Sequence, residues 1–172
     1  MRLLPNIAIS MLLLAACGPP PNVALIEVCG DIEIPFDIDA LRISVLEADR
    51  RTEHRAGTLD LLNCGGDTLS LPQTTELEAP FGDVWVVVQG LQQGVEVMTS
   101  ERRVKIEDKG RAQDVLIGLT RSCMRITCDL GQTCIDGVCE QAPWESDQSM
   151  CSGGPLSAGA GGGEATCGTE EM

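Results

Sequence analysis

The chain has 172 residues, 26 acidic against 12 basic side chains, and a formal net charge of −14. This balance argues against a nucleic-acid-binding protein, which needs clustered Lys and Arg, and with two Trp, two Phe and no Tyr the chain lacks stacking platforms for bases or sugars. The length suits one modest domain with appendages, and nine cysteines in so short a chain are typical of an oxidising compartment.

The first sixteen residues have the organisation of an export signal. Met1 and Arg2 form a minimal positive region, and residues 3–16 are almost wholly apolar. Such a run is too short to span a bilayer comfortably, which takes about 20 apolar residues. It suits the hydrophobic region of a secretory signal peptide, so residues 1–16 are predicted to be removed from the mature chain.

The end of this signal is more specific than a generic cleavage site. Leu14-Ala15-Ala16-Cys17 resembles the lipobox of bacterial lipoproteins. The resemblance implies cleavage before Cys17 and acylation of the new N-terminus, palmitate being a typical acyl chain, and several such chains anchor a protein stably. The alternative is ordinary secretion with a cysteine that lies near the cleavage site. Once Cys17 is assigned to lipid, eight cysteines remain, an even number that permits up to four disulfides.

Residues 17–22 form the lipidated cysteine and a Pro-rich stem. Gly18-Pro19-Pro20-Pro21-Asn22 favours polyproline II, which extends about 3 Å per residue. Gly rather than Asp follows Cys17, and resemblance to the sorting of enteric lipoproteins implies the outer membrane, with the protein facing the periplasm or the exterior.

Residues 23–121 are predicted to form one all-β domain. Turn signals separate most of its short runs of β-branched or alternating residues, which are 23–29, 41–47, 58–62, 67–71, 83–89, 95–98, 103–107 and 113–119. The runs at 58–62 and 67–71 are the weakest. Residues 40–51 could be read as a helix, but Ile43-Ser44-Val45 favours extension. The spacing predicts an antiparallel β-sandwich of immunoglobulin-like or transthyretin-like type. A Cys29–Cys64 disulfide would close a loop of about 35 residues and stabilise it by roughly 3–4 kcal/mol.

Two polar features of this domain are candidate sites. Asp31, Glu33, Asp37 and Asp39 lie just before a strand, and hard oxygen ligands of this kind can bind calcium. Solvated charges that discourage strand-to-strand aggregation are the favoured interpretation. His54, the single histidine, lies in a charged stretch predicted to be an exposed loop, and the sequence offers neither a nucleophile nor an orienting group for it. No catalytic or cofactor-binding motif occurs, so neither an enzyme nor a cofactor is predicted.

Residues 122–140 form a separate cysteine-rich module. Its four cysteines, Cys123, Cys128, Cys134 and Cys139, lie in a stretch too short to build an apolar core. The run 129–139 resembles small disulfide modules of exported myxobacterial proteins and also half of an EGF-like domain. That resemblance implies alternate pairing, Cys123 with Cys134 and Cys128 with Cys139. Four thiolates could instead hold zinc, but an exported chain would be oxidised first.

The remaining residues, 141–172, form an acidic, Gly-rich segment that is predicted to be flexible. Cys151 and Cys167 bracket its Gly-rich stretch and are expected to pair as a loose loop, or else with the module or another chain.

The whole pattern predicts a non-enzymatic lipoprotein of the bacterial envelope, attached to the membrane through Cys17, with a binding, adhesion or structural role. An accessory subunit that docks on an envelope protein by strand addition is the second possibility. A small hydrolase with an unrecognised site is the third.

Overall fold

The computed structural model describes residues 22–62, 70–107 and 112–144. Within these ranges the chain forms nine strands and one short 3-10 turn, in the order β1 (Val23–Gly30), β2 (Ala40–Glu47), β3 (Glu53–Asp60), β4 (Gln73–Glu78), β5 (Gly82–Gln92), β6 (Val95–Ile106), β7 (Gln113–Leu119), the turn (Arg121–Cys123), β8 (Gln132–Ile135) and β9 (Val138–Gln141). None of the helical structure in this part of the chain is long and apolar enough to cross a membrane.

Two sheets make up the domain, one with the strand order β4-β1-β7 and the other with the order β3-β2-β5-β6. Neighbouring strands in both are antiparallel, apart from β1 and β7, which run parallel from Ala24 to Gly30 of β1. The two sheets contribute to a single buried cluster, so the predicted β-sandwich is confirmed. The parallel pair places the last strand of the sandwich beside the first.

The core between the sheets is aliphatic. Alternate residues of β1 are buried, Ala24, Ile26 and Val28 among them, because successive side chains of a strand point to opposite faces. The central strand β5 contributes Val84, Val86 and Val88 from the facing sheet. No aromatic side chain belongs to this cluster in the described residues.

The predicted strands differ from the observed ones mainly at the edges of the sheets. The two runs at 95–98 and 103–107 belong to one long strand, β6. Edge strand β3 begins before the predicted run at 58–62 and includes His54, which therefore lies in a strand rather than a loop. Strand β4 was not predicted, and most of the run at 67–71 lies outside the described residues. These edge strands are polar on both faces or only half-buried, so they lack the strong alternation of a core strand.

The cysteine-rich module (122–140) packs along the outer edge of β6. Its hairpin β8–β9 turns at Asp136 and Gly137, which have φ angles of 49° and 87° and so suit a tight two-residue turn. Disulfides join Cys123 to Cys134 and Cys128 to Cys139, which confirms the alternate pairing. Regular structure continues through β9 to Gln141, into the segment predicted as tail.

Candidate functional site

Five cysteines lie outside the module, and the structure describes one of them, Cys29. Cys17, Cys64, Cys151 and Cys167 lie outside the described residues. Cys29 is disulfide-bonded. The predicted pairing of Cys29 with Cys64 and the pairing of Cys151 with Cys167 therefore stay predictions.

The sandwich has two poles that differ in their residues. The N-terminal pole contains Asn22 and the loop 79–82, which joins β4 to β5. The opposite pole contains the loop 31–39 between β1 and β2 and the turn between β5 and β6. Backbone hydrogen bonds fix both, with Ala79 N donating to Asn22 O at 3.1 Å and Asp39 N donating to Leu91 O at 2.8 Å.

The acidic loop at the opposite pole closes around an arginine. The Arg121 guanidinium donates to Asp37 Oδ2 at 2.7 Å and to Glu33 Oε2 at 2.9 Å. Its backbone N–H donates to Asp31 Oδ1 at 2.7 Å. Three of the four carboxylates that the sequence singled out therefore converge on one residue after β7, two on its guanidinium and one on its backbone N–H.

Asp39, the fourth carboxylate, has a different role. Its Oδ2 accepts from the backbone N–H of Gln93 at 2.7 Å and so secures the β5–β6 turn. In the ranges that the structure describes, no group of three or more His, Cys, Asp or Glu side chains is arranged to hold a metal ion. The geometry of the loop is that of an arginine-bound acidic cluster.

Local hydrogen bonds shift the pKa values of Asp37 and Arg121. A hydrogen bond from the Glu33 backbone N–H, helped by the hydrogen bond and charge of Arg121, lowers the pKa of Asp37 below its ordinary value of 3.8, although partial burial opposes the change. The hydrogen bonds with Asp37 and Glu33 in turn raise the pKa of Arg121. Sequence reasoning missed Arg121 because it lies 84 positions from Asp37.

Both tryptophans of the chain lie beside arginines where the module meets the sandwich. The Arg50 guanidinium lies 4.5 Å from the ring centroid of Trp85, and the Arg103 guanidinium lies 4.0 Å from that of Trp144. Arg103 is also 6.0 Å from the Trp85 centroid, so the four side chains form one cation–π stack. Arg50 also forms an ion pair with Glu101. Burial lowers the pKa of Arg50.

The module and the residues after it cover the outer edge of β6. Glu101 N donates to the Thr133 hydroxyl at 3.0 Å, Arg103 N donates to Pro143 O at 3.3 Å, and Arg125 N donates to Val97 O at 2.7 Å. Edge strands normally present such groups to other chains. In this protein these backbone groups of β6 are hydrogen-bonded to the module and to the residues after it.

A groove of about 210 Å³ lies between β5, β6 and the module. Its lining is largely polar and consists of Val87, Gln89, Glu96, Thr99, Glu101, Ile126, Thr127, Cys128 and Gln132. The Glu96 carboxylate already accepts hydrogen bonds from Gln89 and Thr99. Three of the polar side chains that line the groove are therefore hydrogen-bonded to one another.

His54 is exposed in the N-terminal half of β3. Its neighbour Glu53 is paired with Arg42 at 3.1 Å, and its other neighbour Arg55 is paired with Glu78 at 2.7 Å. The surroundings are those of a charged edge strand.

Comparison of the chain with protein-family models, with curated proteins and with solved structures finds no match.

Proposed function

We propose that this protein is a non-enzymatic lipoprotein of the bacterial cell envelope, anchored through acylated Cys17 and acting by binding, adhesion or structural support. The anchor is inferred from the lipobox resemblance of residues 14–17. The absence of a catalytic motif from the sequence directs the role towards binding or support.

The observation that carries the proposal is the cross-linked module. Two interleaved disulfides hold a segment that has almost no apolar core of its own, and Cys29 is bonded as well. Disulfides of this structural kind persist in oxidising compartments. Their presence agrees with an exported chain, and the lipobox then supplies the membrane attachment.

The charged clusters of the described residues also favour a structural interpretation. Arg121 is held by the acidic loop, and Arg103 is paired with Asp83 at 3.0 Å while it stacks on Trp144. These groups tie distant segments of the chain together. Such contacts suit a rigid extracytoplasmic scaffold.

Intact-mass measurement of the protein purified from bacterial membranes tests the proposal. The expected mature chain begins at Cys17, carries the mass of a diacylglyceryl group and gains two hydrogens for each disulfide on reduction. A Cys17→Ala variant is the matched control, and it should lack the lipid mass. An uncleaved, unacylated chain with reduced cysteines would refute the proposal.

A second candidate function is that of an accessory subunit that binds an envelope protein by strand addition. The edge of β3 favours it, since β3 is the outer strand of its sheet and six of its eight residues are exposed, whereas the module covers β6. Thr58→Lys should disrupt pairing at this edge and abolish capture of a specific partner from solubilised envelope. Thr127→Lys, on the exposed surface of the module, is the control, and equal capture by both variants would exclude the β3 edge.

A further inference from the structure

We infer that Phe81 and its loop, residues 79–82, form a second contact with the bilayer, next to the lipid anchor. This inference rests on the proposed acylation of Cys17. The partner is the lipid–water interface of the membrane that holds the anchor. Three features of the N-terminal pole support it, namely the length of the tether, the exposure of Phe81 and the charge around the loop.

The tether brings this loop close to the membrane. Ala79 N donates to Asn22 O at 3.1 Å, and Val23 lies opposite Glu78 in the β1–β4 register. Cys17 precedes Asn22 by five residues. Because an extended chain spans at most about 3.6 Å per residue, the tether is at most roughly 18 Å long. Ala79, at the start of the loop, is therefore tied to the acylated residue through Asn22 and this short tether.

Phe81 is available to the membrane. Its side chain is 68% exposed, in a protein whose core is aliphatic and which has only two phenylalanines. The following residue, Gly82, has a φ of +106°, a conformation that suits glycine, and the loop turns there into β5. Apolar side chains such as Phe, Trp and Leu bury at the boundary between headgroups and acyl chains when a protein lies on a bilayer.

The two carboxylates that flank the loop are paired with arginines, although the whole chain is acidic. Glu78, before the loop, is paired with Arg55 at 2.7 Å. Asp83, after it, is paired with Arg103 at 3.0 Å. Lys105 lies opposite Asp83 in the β5–β6 register and is exposed. The pairs reduce the repulsion that anionic headgroups would exert on these carboxylates, and an exposed lysine near such a surface is attracted to it.

The second phenylalanine provides an internal control. Phe36 is 71% exposed but belongs to the opposite pole, where Gln92 Nε2 donates to its backbone carbonyl at 2.5 Å. The eight residues of β1 separate the two poles. At about 3.3 Å per residue they keep Phe36 some 26 Å farther from the tether.

Fluorine NMR of the acylated protein tests the inference without any change to its fold. The mature chain is labelled with 4-fluorophenylalanine, which gives one resonance from each of its two phenylalanines, and Phe36→Leu assigns them. The protein is reconstituted in nanodiscs of phosphatidylethanolamine and phosphatidylglycerol, with and without a lipid that carries a nitroxide near its glycerol backbone. The expected result is severe broadening of the Phe81 resonance and little change at Phe36.

The possible outcomes separate this inference from the proposed function. If intact mass shows acylated Cys17 but the nitroxide broadens Phe81 no more than Phe36, the membrane contact is overturned and the lipoprotein proposal stands. If Cys17 carries no lipid, the proposed function fails and the membrane contact fails with it.

Discussion

Gly30 ends β1 at a point where the backbone of β7 comes very close. A Cβ atom at this position would lie 1.9 Å from the backbone oxygen of Leu119, which belongs to the parallel neighbour strand. Because a backbone atom cannot move aside as a side chain can, Gly30→Ala must displace one of the two strands. Because Gly30 has no side chain, the parallel pairing of β1 with β7 can extend to the last residue of β1.

We predict that Gly30→Ala destabilises the domain by at least about 2 kcal/mol, within the range typical of overpacked sites. Gly57→Ala is the matched control, since its Cβ would lie 3.4 Å from a side-chain methyl of Leu77, an ordinary contact. Urea unfolding of both variants measures the difference. Equal free energies of unfolding would contradict the close approach of the two strands.

The stability that Asp37 contributes to the folded protein depends on pH. Its pKa is lowered in the folded protein, chiefly by the hydrogen bond from the Glu33 backbone N–H and then by Arg121. A carboxyl of lowered pKa contributes stability above its unfolded pKa, near 3.9, and that contribution is lost as the pH falls through the folded pKa.

Asp37→Asn should therefore be less stable than the wild type at neutral pH, and the difference should close in acid once the native carboxyl is protonated. Unfolding in urea across a series of pH values measures this gap. In an Arg121→Gln background the neutral-pH gap should be smaller, because part of the carboxylate's stabilisation is already lost. If the difference in stability between Asp37→Asn and the wild type stays constant in acid, the charge of Asp37 is not the cause of that difference.

At the scale of an element, β6 illustrates how an edge strand is closed within one chain. Thr133 of β8 is only 2% exposed, and its hydroxyl accepts from the Glu101 backbone N–H of β6 at 3.0 Å. The alternation of β6 could be recognised in the sequence. Its covered edge could not, because the covering residues lie about 30 positions later and show no complementary pattern.

We predict that Thr133→Val destabilises the contact between module and sheet by about 1–3 kcal/mol, because it leaves the partly buried N–H of Glu101 without its acceptor. Thr133→Ser keeps the hydroxyl and is the control, with a smaller loss. Amide hydrogen exchange at Glu101 shows the effect directly. Unchanged protection of that amide in Thr133→Val would mean that the hydroxyl is not its acceptor.

At the scale of the whole molecule, the sandwich and the module are stabilised in different ways. The sandwich has a continuous aliphatic cluster drawn from both sheets. The module has few buried side chains, Cys123, Thr133 and Cys134 among them, and depends on its two disulfides. Each bond closes a loop of 11 residues, worth roughly 3 kcal/mol in the chain-entropy model.

Replacing all four module cysteines by serine should therefore unfold the module and leave the sandwich folded. Hydrogen exchange is expected to accelerate at Glu101 and Arg103, whose amides donate to Thr133 and Pro143, while amides between β2 and β5 stay protected. A variant that lacks only Cys128 and Cys139 keeps the buried Cys123–Cys134 bond and should retain more protection. Loss of protection throughout the sandwich would show instead that its fold requires the module.

The sequence by itself determined the all-β class and the core strands. Burial in a strand repeats every second residue, so a short stretch of sequence is enough to show the alternation. The likeness of the module to known disulfide modules also supplied its correct pairing. Only the tertiary structure decided that Arg121 binds the acidic loop, that Arg50 and Arg103 stack on the tryptophans, and which pole holds each phenylalanine. These contacts join residues far apart in the chain, and their partners are set by strand order and register, which no local pattern specifies.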